Sequence, residues 1–327
     1  MRAIEISTPG GPEVLTEVHR PDPVPGPGEV LIRVAAAGVN RADVHQRQGN
    51  YPPPPGASDI PGLECSGVIA GLGQGVDGWQ EGDRVAALLA GGGYAELIVV
   101  ASDQVLPVPD HVDLVDAAGL PEAVCTAWSN LFMVGRLTAG EVVLVHGGSG
   151  GVGSAAIQIA TALWARVATT AGGPERVAHC IALGAGVGID HRTEDVAERL
   201  AEETAGHGAD VILDVLGAGG LANNLRALAT GGRLVVIGMQ KGRRAELDLG
   251  LLMAKRASVY GTTLRARPPQ EKAAIVAEVA RHAWPLLGPE DIGLRPLVHA
   301  RVALAEAGRA HEMLEDGQVF GKVVLVP

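Results

Sequence analysis

Gly148, Gly150 and Gly153 stand at G-x-G-x-x-G spacing inside the run Gly147-Gly148-Ser149-Gly150-Gly151-Val152-Gly153. The first of these glycines permits a tight turn, the second lets backbone approach a bulky anion, and the third lets a helix pack on the preceding strand. The flanks suit that use. Val142 to Val145 is an apolar run of strand length, and Ser154 to Leu163 carries a helical pattern. A helix beginning at such a turn offers unbonded N–H groups and a partial positive charge to phosphates. Spacing alone is weak in a chain with 46 glycines. Strand before, helix after and more strands beyond point to a dinucleotide site on Gly148, Ser149, Gly150, Gly151, Val152 and Gly153.

The next strand narrows the cofactor. NAD sites usually end it with Asp or Glu for the ribose 2′-hydroxyl. Here it ends Ala168-Thr169-Thr170-Ala171-Gly172-Gly173, without a carboxylate, and Arg176 follows. A cation without the anion suits a 2′-phosphate, so NADPH is expected, with Gly173 and Arg176 at its adenosine end. The alternative is that Arg176 is a solvated first-turn residue of the next helix. The ten histidines show no metal-ligand spacing. Cys65, Cys125 and Cys180 form neither a C-x-x-C pair nor a disulfide framework, which suits a reducing cytoplasm.

These groups must be positioned by a chain of 327 residues, enough for two domains. The first third reads as short strands and turns: Glu29 to Val34 after a proline-rich stretch, then Gly67 to Ala70, Arg84 to Leu88 and Ala95 to Val99. Such spacing predicts an all-β, barrel-like unit. From about residue 120, apolar strands alternate with helices: Val142 to Val145, Val167 to Thr170, Val187 to Asp190, Val211 to Leu216, Leu234 to Gly238 and Ser258 to Thr262. Six continuous apolar strands predict an α/β fold with a doubly wound parallel sheet. A helix over Pro269 to Ala283 and a strand over Lys322 to Val326 follow, and this tail is expected to complete the first domain. The net charge of −11 gives no reason to seek nucleic acid, and no apolar run is long enough for a membrane span.

The run Gly140 to Thr161, GEVVLVHGGSGGVGSAAIQIAT, resembles the signature of zeta-crystallin and the quinone oxidoreductases, a zinc-free branch of the medium-chain dehydrogenases and reductases. It departs at Thr161, where a basic residue or serine is usual. Val39 to Asp43, Gln48 to Tyr51, Pro61 to Glu64, Glu81 to Val85 and Gly321 to Val324 are similar to further family segments. Arg47 to Ser58 and Thr263 to Arg267 are most similar to the stress-induced quinone oxidoreductase subgroup. The resemblance spans nearly the whole chain.

It implies a Rossmann domain inserted into a split GroES-like catalytic domain, with boundaries at 1–122, 123–265 and 266–327. It implies a homodimer joined through the edge strand near Val259-Tyr260-Gly261, NADPH as cofactor, and a quinone or enone as small-molecule acceptor. Zinc is not expected, because Asn40 and Leu63 stand where zinc-dependent relatives carry Cys and His. Asn40, Asp43 and Tyr51 are implied around the nicotinamide and substrate. Asp43 would orient its neighbours or cap the helical stretch Val44 to Arg47, and Tyr51 would serve the site or pack against Pro52 to Pro55. On the cofactor, the resemblance implies Thr126 at the ribose, His191 beside the 2′-phosphate, and Gly238, Met239 and Leu264 at the carboxamide, where strand ends are the plain alternative. Lys322 would reach the cofactor or stand as a solvated edge charge. An enoyl-thioester or enone reductase is the neighbouring alternative. A non-catalytic RNA-binding or crystallin-like role is the alternative from another class.

Overall fold

The computed structural model describes residues 1–288 and 293–327. Two compact units emerge: Met1–Cys125 with most of the chain after Thr263, and Thr126–Thr263.

The first unit opens with β1 (Arg2–Ile6), β2 (Leu15–His19), β3 (Glu29–Gly38), β4 (Glu64–Leu72), β5 (Arg84–Leu88), β6 (Leu97–Ala101) and β7 (Val105–Pro107). In β3 the period-two pattern is plain: Val30, Ile32 and Val34 are buried while Arg33 is exposed. The short helix Arg41–Arg47 follows β3 directly.

The second unit holds β8 (Val142–His146), β9 (Arg166–Ala171), β10 (Val187–Asp190), β11 (Ala209–Asp214), β12 (Leu228–Val236) and β13 (Ser258–Gly261). They form a parallel sheet in the order β10-β9-β8-β11-β12-β13. All five residues of β8 are buried, as a sheet covered on both faces requires. The strand order turns about β8, so the crevice at the carboxyl ends of β8 and β11 is the topological switch point where such sheets bind ligands. The chain ends in the first unit with β14 (Val298–Ala303) and β15 (Lys322–Val326). β15 pairs with the end of β3 and completes a sheet ordered β14-β15-β3-β4-β5-β7, and off this path β6 pairs with the first half of β3.

Departures from the expected elements have local causes. β11 stops at Asp214 because its carboxylate takes the N–H groups of Leu216 and Gly217, both at 2.9 Å, and turns the chain. β12 begins at Leu228, ahead of the expected Leu234, and crosses Gly231 at φ +81° and a register shift against β11. β1, β2, β7 and β14 are additional to the strands expected.

Candidate active site

As the chain leaves β8, Gly147 adopts φ +70°. The tight-turn conformation assigned to Gly148 therefore falls one residue earlier. Gly148 is required for room: a Cβ there would lie 2.1 Å from Thr169 Oγ1. A Cβ on Gly153 would lie 2.2 Å from the Gly147 carbonyl oxygen, the close helix–strand approach that the third glycine permits. Gly150 differs. Its nearest atom would be 3.5 Å away, so the missing side chain leaves the turn open to an approaching group. Gly150 caps the helix Gly151–Ala162, which carries Val152 and Gly153 in its first turn. The cradle fits a pyrophosphate.

Beneath the turn lies His146, which the sequence reading missed. Thr170 Oγ1 accepts the Gly147 N–H at 3.2 Å and sits 3.1 Å from His146 Nδ1. His146 Nε2 is 2.6 Å from Asn224 Oδ1, an acceptor. One tautomer satisfies the chain: Nε2 protonated and Nδ1 accepting from the Thr170 hydroxyl. Burial holds the imidazole's pKa below its ordinary value and so keeps it neutral.

At the adenosine end Arg176 is not a free surface charge. Its Nη1 donates to Ser149 Oγ at 3.2 Å. Arg192, another residue missed, lays its guanidinium over Gly172 and Gly173, with Nε 3.0 Å from where a Gly172 Cβ would stand. Asp190 Oδ1 accepts the N–H groups of Gly173 and Arg192, each at 3.0 Å, and these bonds hold its pKa below the usual carboxylate range. His191 is exposed between them. Thr126 is buried at the start of this unit, and Gly238 and Met239 follow β12, with the Met239 side chain exposed. Leu264 lies beyond the end of β13 and packs in the first unit.

In the first unit Asn40 has extended backbone (φ −123°, ψ 153°) and caps the helix Arg41–Arg47. Asp43 is therefore not the cap. It sits in the first turn, fully buried, and reaches back. Its Oδ2 accepts the Asn40 N–H at 2.8 Å and the Tyr94 hydroxyl at 3.2 Å, and its Oδ1 accepts the Gly62 N–H at 3.1 Å. Asp43 thus pins the Asn40 and Gly62 backbones together. Burial pushes its pKa up to about 6 despite those bonds. Tyr94 also meets buried His311, at 3.0 Å from Nε2, and His311 Nδ1 faces Arg47 Nη1 at 3.5 Å. Arg47 is paired to Glu315 at 2.8 Å.

Lys322 is not a solvated edge charge: it is 5% exposed. Its Nζ donates to Asn40 Oδ1 at 2.6 Å and pairs with the fully buried Glu64. Asn40 Nδ2 donates to Glu64 Oε1 at 2.9 Å. Tyr51 is half-buried under Arg265, whose guanidinium lies 5.4 Å from the ring centroid. Buried Arg265 also donates to the Tyr51 and Ala90 carbonyls and to Gln46 Oε1, at 3.2, 2.8 and 2.7 Å. Burial and nearby Glu122 push the Tyr51 pKa up, while Arg265 opposes them. The helix Arg41–Arg47 thus anchors Asn40, Asp43 and, through Gln46 and Arg265, the Tyr51 loop.

This donor set does not fit zinc. Leu63 offers no ligand atom, Asn40 has both ends of its amide occupied, and the Lys322 ammonium already neutralises Glu64. Among the described residues no group of three or more His, Cys, Asp and Glu is placed to hold a metal ion.

Residues 26–110 match the alcohol dehydrogenase GroES-like domain, and residues 151–281 match the family described as zinc-binding dehydrogenase. The quinone oxidoreductase of Lama guanicoe is 36% identical over 330 residues, covering 100% of this chain and 97% of its own length. The Escherichia coli quinone oxidoreductase, solved in complex with NADPH, superposes with a TM-score of 0.86 at 30% identity, covering 100% of each chain. The CurK enoyl reductase gives 0.85 at 28% identity, covering 99% of this chain and 98% of its own. The chain belongs to the quinone oxidoreductase family, the zinc-free branch of the medium-chain dehydrogenases and reductases.

Proposed function

We propose that this enzyme is an NADPH-dependent reductase that passes hydride to a quinone without zinc. One observation carries the cofactor: where NAD sites place a carboxylate, this chain brings Arg176 to Ser149 and Arg192 over Gly172 and Gly173. A carboxylate at the end of β9 would repel a 2′-phosphate, whereas two guanidinium groups attract it, and the Asp190 carboxylate beside them is engaged by the Gly173 and Arg192 N–H groups. His191 joins them as a third contact. The glycine turn takes the pyrophosphate, Thr126 the ribose, and Gly238, Met239 and Leu264 the carboxamide. Bound NADPH supplies hydride, and the quinone takes it with one proton to leave as hydroquinone.

A quinone accepts hydride readily, so the protein's work is placement and stabilisation of the oxygen that gains charge. Asn40 and Tyr51 face that acceptor. Asp43, with its carboxylate tied to the Asn40 and Gly62 N–H groups and the Tyr94 phenol, positions Asn40, and Arg265 holds the Tyr51 loop. The enoyl reductase neighbour favours one second reading, reduction of an enone or enoyl thioester by the same hydride geometry. Parallel assays of NADPH oxidation with 1,4-benzoquinone, 9,10-phenanthrenequinone and crotonyl-CoA decide between them. Turnover confined to crotonyl-CoA would overturn the quinone reading.

The enzyme forms a homodimer through the free edge of β13. Val259 on that strand and Met253 and Leu249 just before it are 40%, 76% and 61% exposed, an apolar group suited to a partner. A monomeric mass by light scattering would refute this. No helix among the described residues is long and apolar enough to cross a membrane. A cytoplasmic enzyme without a nucleic-acid partner fits the dispersed cysteines and the acidic balance.

A further inference from the structure

We infer that Lys322 and Glu64 are positioning residues that lock the Asn40 carboxamide in one orientation, so that it offers an N–H, and not its carbonyl, to the acceptor. The inference rests on the reading that Asn40 meets the acceptor oxygen. An asparagine amide is nearly symmetric in shape, and its neighbours decide which end is which. Here they decide without ambiguity. An ammonium only donates, and Lys322 Nζ stands 2.6 Å from Asn40 Oδ1. A carboxylate only accepts, and Glu64 Oε1 stands 2.9 Å from Nδ2. Turning the amide over would set oxygen against carboxylate and NH2 against ammonium.

The lock is built in from several directions. Lys322 and Glu64 pair directly, and both are buried. Glu64 Oε2 is fixed by the Glu122 N–H at 2.8 Å. A Cβ on Gly38 would lie 2.2 Å from Glu64 Oε1, so the carboxylate fills a slot that only glycine leaves. A Cβ on Gly119 would lie 3.1 Å from the Lys322 stem. The Asn40 backbone is held separately by Asp43.

With Oδ1 and one N–H taken, Asn40 keeps one hydrogen on Nδ2. Its nearest acceptor is the Gly38 carbonyl at 3.5 Å, too long for a strong bond. Asn40 is half-buried, and a stronger acceptor can take this N–H from the Gly38 carbonyl. It suits an oxygen that becomes negative as hydride arrives at the ring, and it does not suit a hydroxyl seeking an acceptor. The Lys322 charge on Oδ1 polarises the amide and makes the remaining N–H a better donor.

The test is steady-state turnover of 1,4-benzoquinone, with NADPH affinity measured separately by fluorescence titration. Asn40→Ala and Asn40→Asp both remove the donor and are expected to lower kcat/KM by about 100-fold, with NADPH affinity unchanged. Lys322→Met frees the amide to turn and is expected to cost about tenfold or more. Added to Asn40→Ala, it should cost nothing further. If Lys322→Met fails to fold, the paired variant Glu64→Gln/Lys322→Met removes both charges together and should show the same loss. Multiplying losses in the Asn40→Ala/Lys322→Met enzyme, or full activity in Asn40→Asp, would overturn the lock. Full quinone activity in Asn40→Ala would instead sink the reading that Asn40 meets the acceptor. A wild-type enzyme inert to quinones but active on crotonyl-CoA would refute the quinone reading alone, and the same ratios on crotonyl-CoA would then judge the lock.

Discussion

Buried His311 makes a sharp prediction about acid stability. Burial and the nearby Arg47 charge push its pKa from 6.5 down to about 3. A group whose folded pKa is depressed contributes stability that is present above its unfolded pKa and lost as pH falls. The gap corresponds to roughly 5 kcal/mol in all, of which about 2 kcal/mol is lost between pH 7 and pH 5 and about 3 by pH 4. Asp43 acts in the opposite sense. Its pKa is raised from 3.8 to about 6, so its burial costs stability above that range, and the cost is relieved as pH falls. In wild type the two slopes oppose each other between about pH 6 and 4. In His311→Gln the His311 slope is gone while the Asp43 slope remains. The variant loses buried hydrogen bonds to Tyr94 and Arg47 and should be less stable by about 1–3 kcal/mol at pH 7. By subtraction, the stability difference should shrink by about 2 kcal/mol at pH 5 and vanish or change sign near there. Urea unfolding of both proteins at pH 7, 6, 5 and 4.5 measures it, and titrating groups away from His311 cancel in the difference. A difference independent of pH would refute the argument.

Further outcomes follow from the same geometry. Arg176→Ala and Arg192→Ala should each weaken NADPH binding about 10-fold or more while leaving NADH binding nearly unchanged, as loss of a charge-assisted bond to phosphate requires; an unchanged preference by titration would reject that assignment. Gly150→Ala should keep its thermal midpoint but bind NADPH poorly, whereas Gly148→Ala should unfold at lower temperature, because only the second Cβ collides with the protein. Arg265→Met would leave two carbonyls and the Gln46 amide oxygen without their donor, at a cost of at least about 3 kcal/mol in urea.

The parallel sheet was legible because its central strands are buried on both faces. Val142–Val145 and Val187–Asp190 are continuous apolar or glycine-bearing runs between helical stretches, and each falls on an observed strand. β1 and β14 escaped because Arg2–Ile6 and Val298–Ala303 interleave charged residues with apolar ones and are short. Of the site, the glycine turn was legible since its function lies in local backbone geometry. The Asn40 lock was not. Lys322 reaches Asn40 across 282 positions of sequence, and Tyr94 reaches His311 across 217. No local period encodes such contacts. In the helix Ala307–Glu315, His311 reads as one more residue of the inward face. Arg192 could have been found, since it follows the end of β10 at the height where Arg176 was sought.

The central claim is zinc-free hydride transfer from NADPH to a quinone. It is tested most directly by stoichiometry: NADPH and 1,4-benzoquinone are mixed with enzyme as purified and after dialysis against a chelator, and NADP+ and hydroquinone are counted. One hydroquinone per NADPH consumed is expected, at equal rates in both preparations and faster than with NADH. Activity that vanishes on chelation and returns with zinc, or no quinone reduction at all, would contradict it.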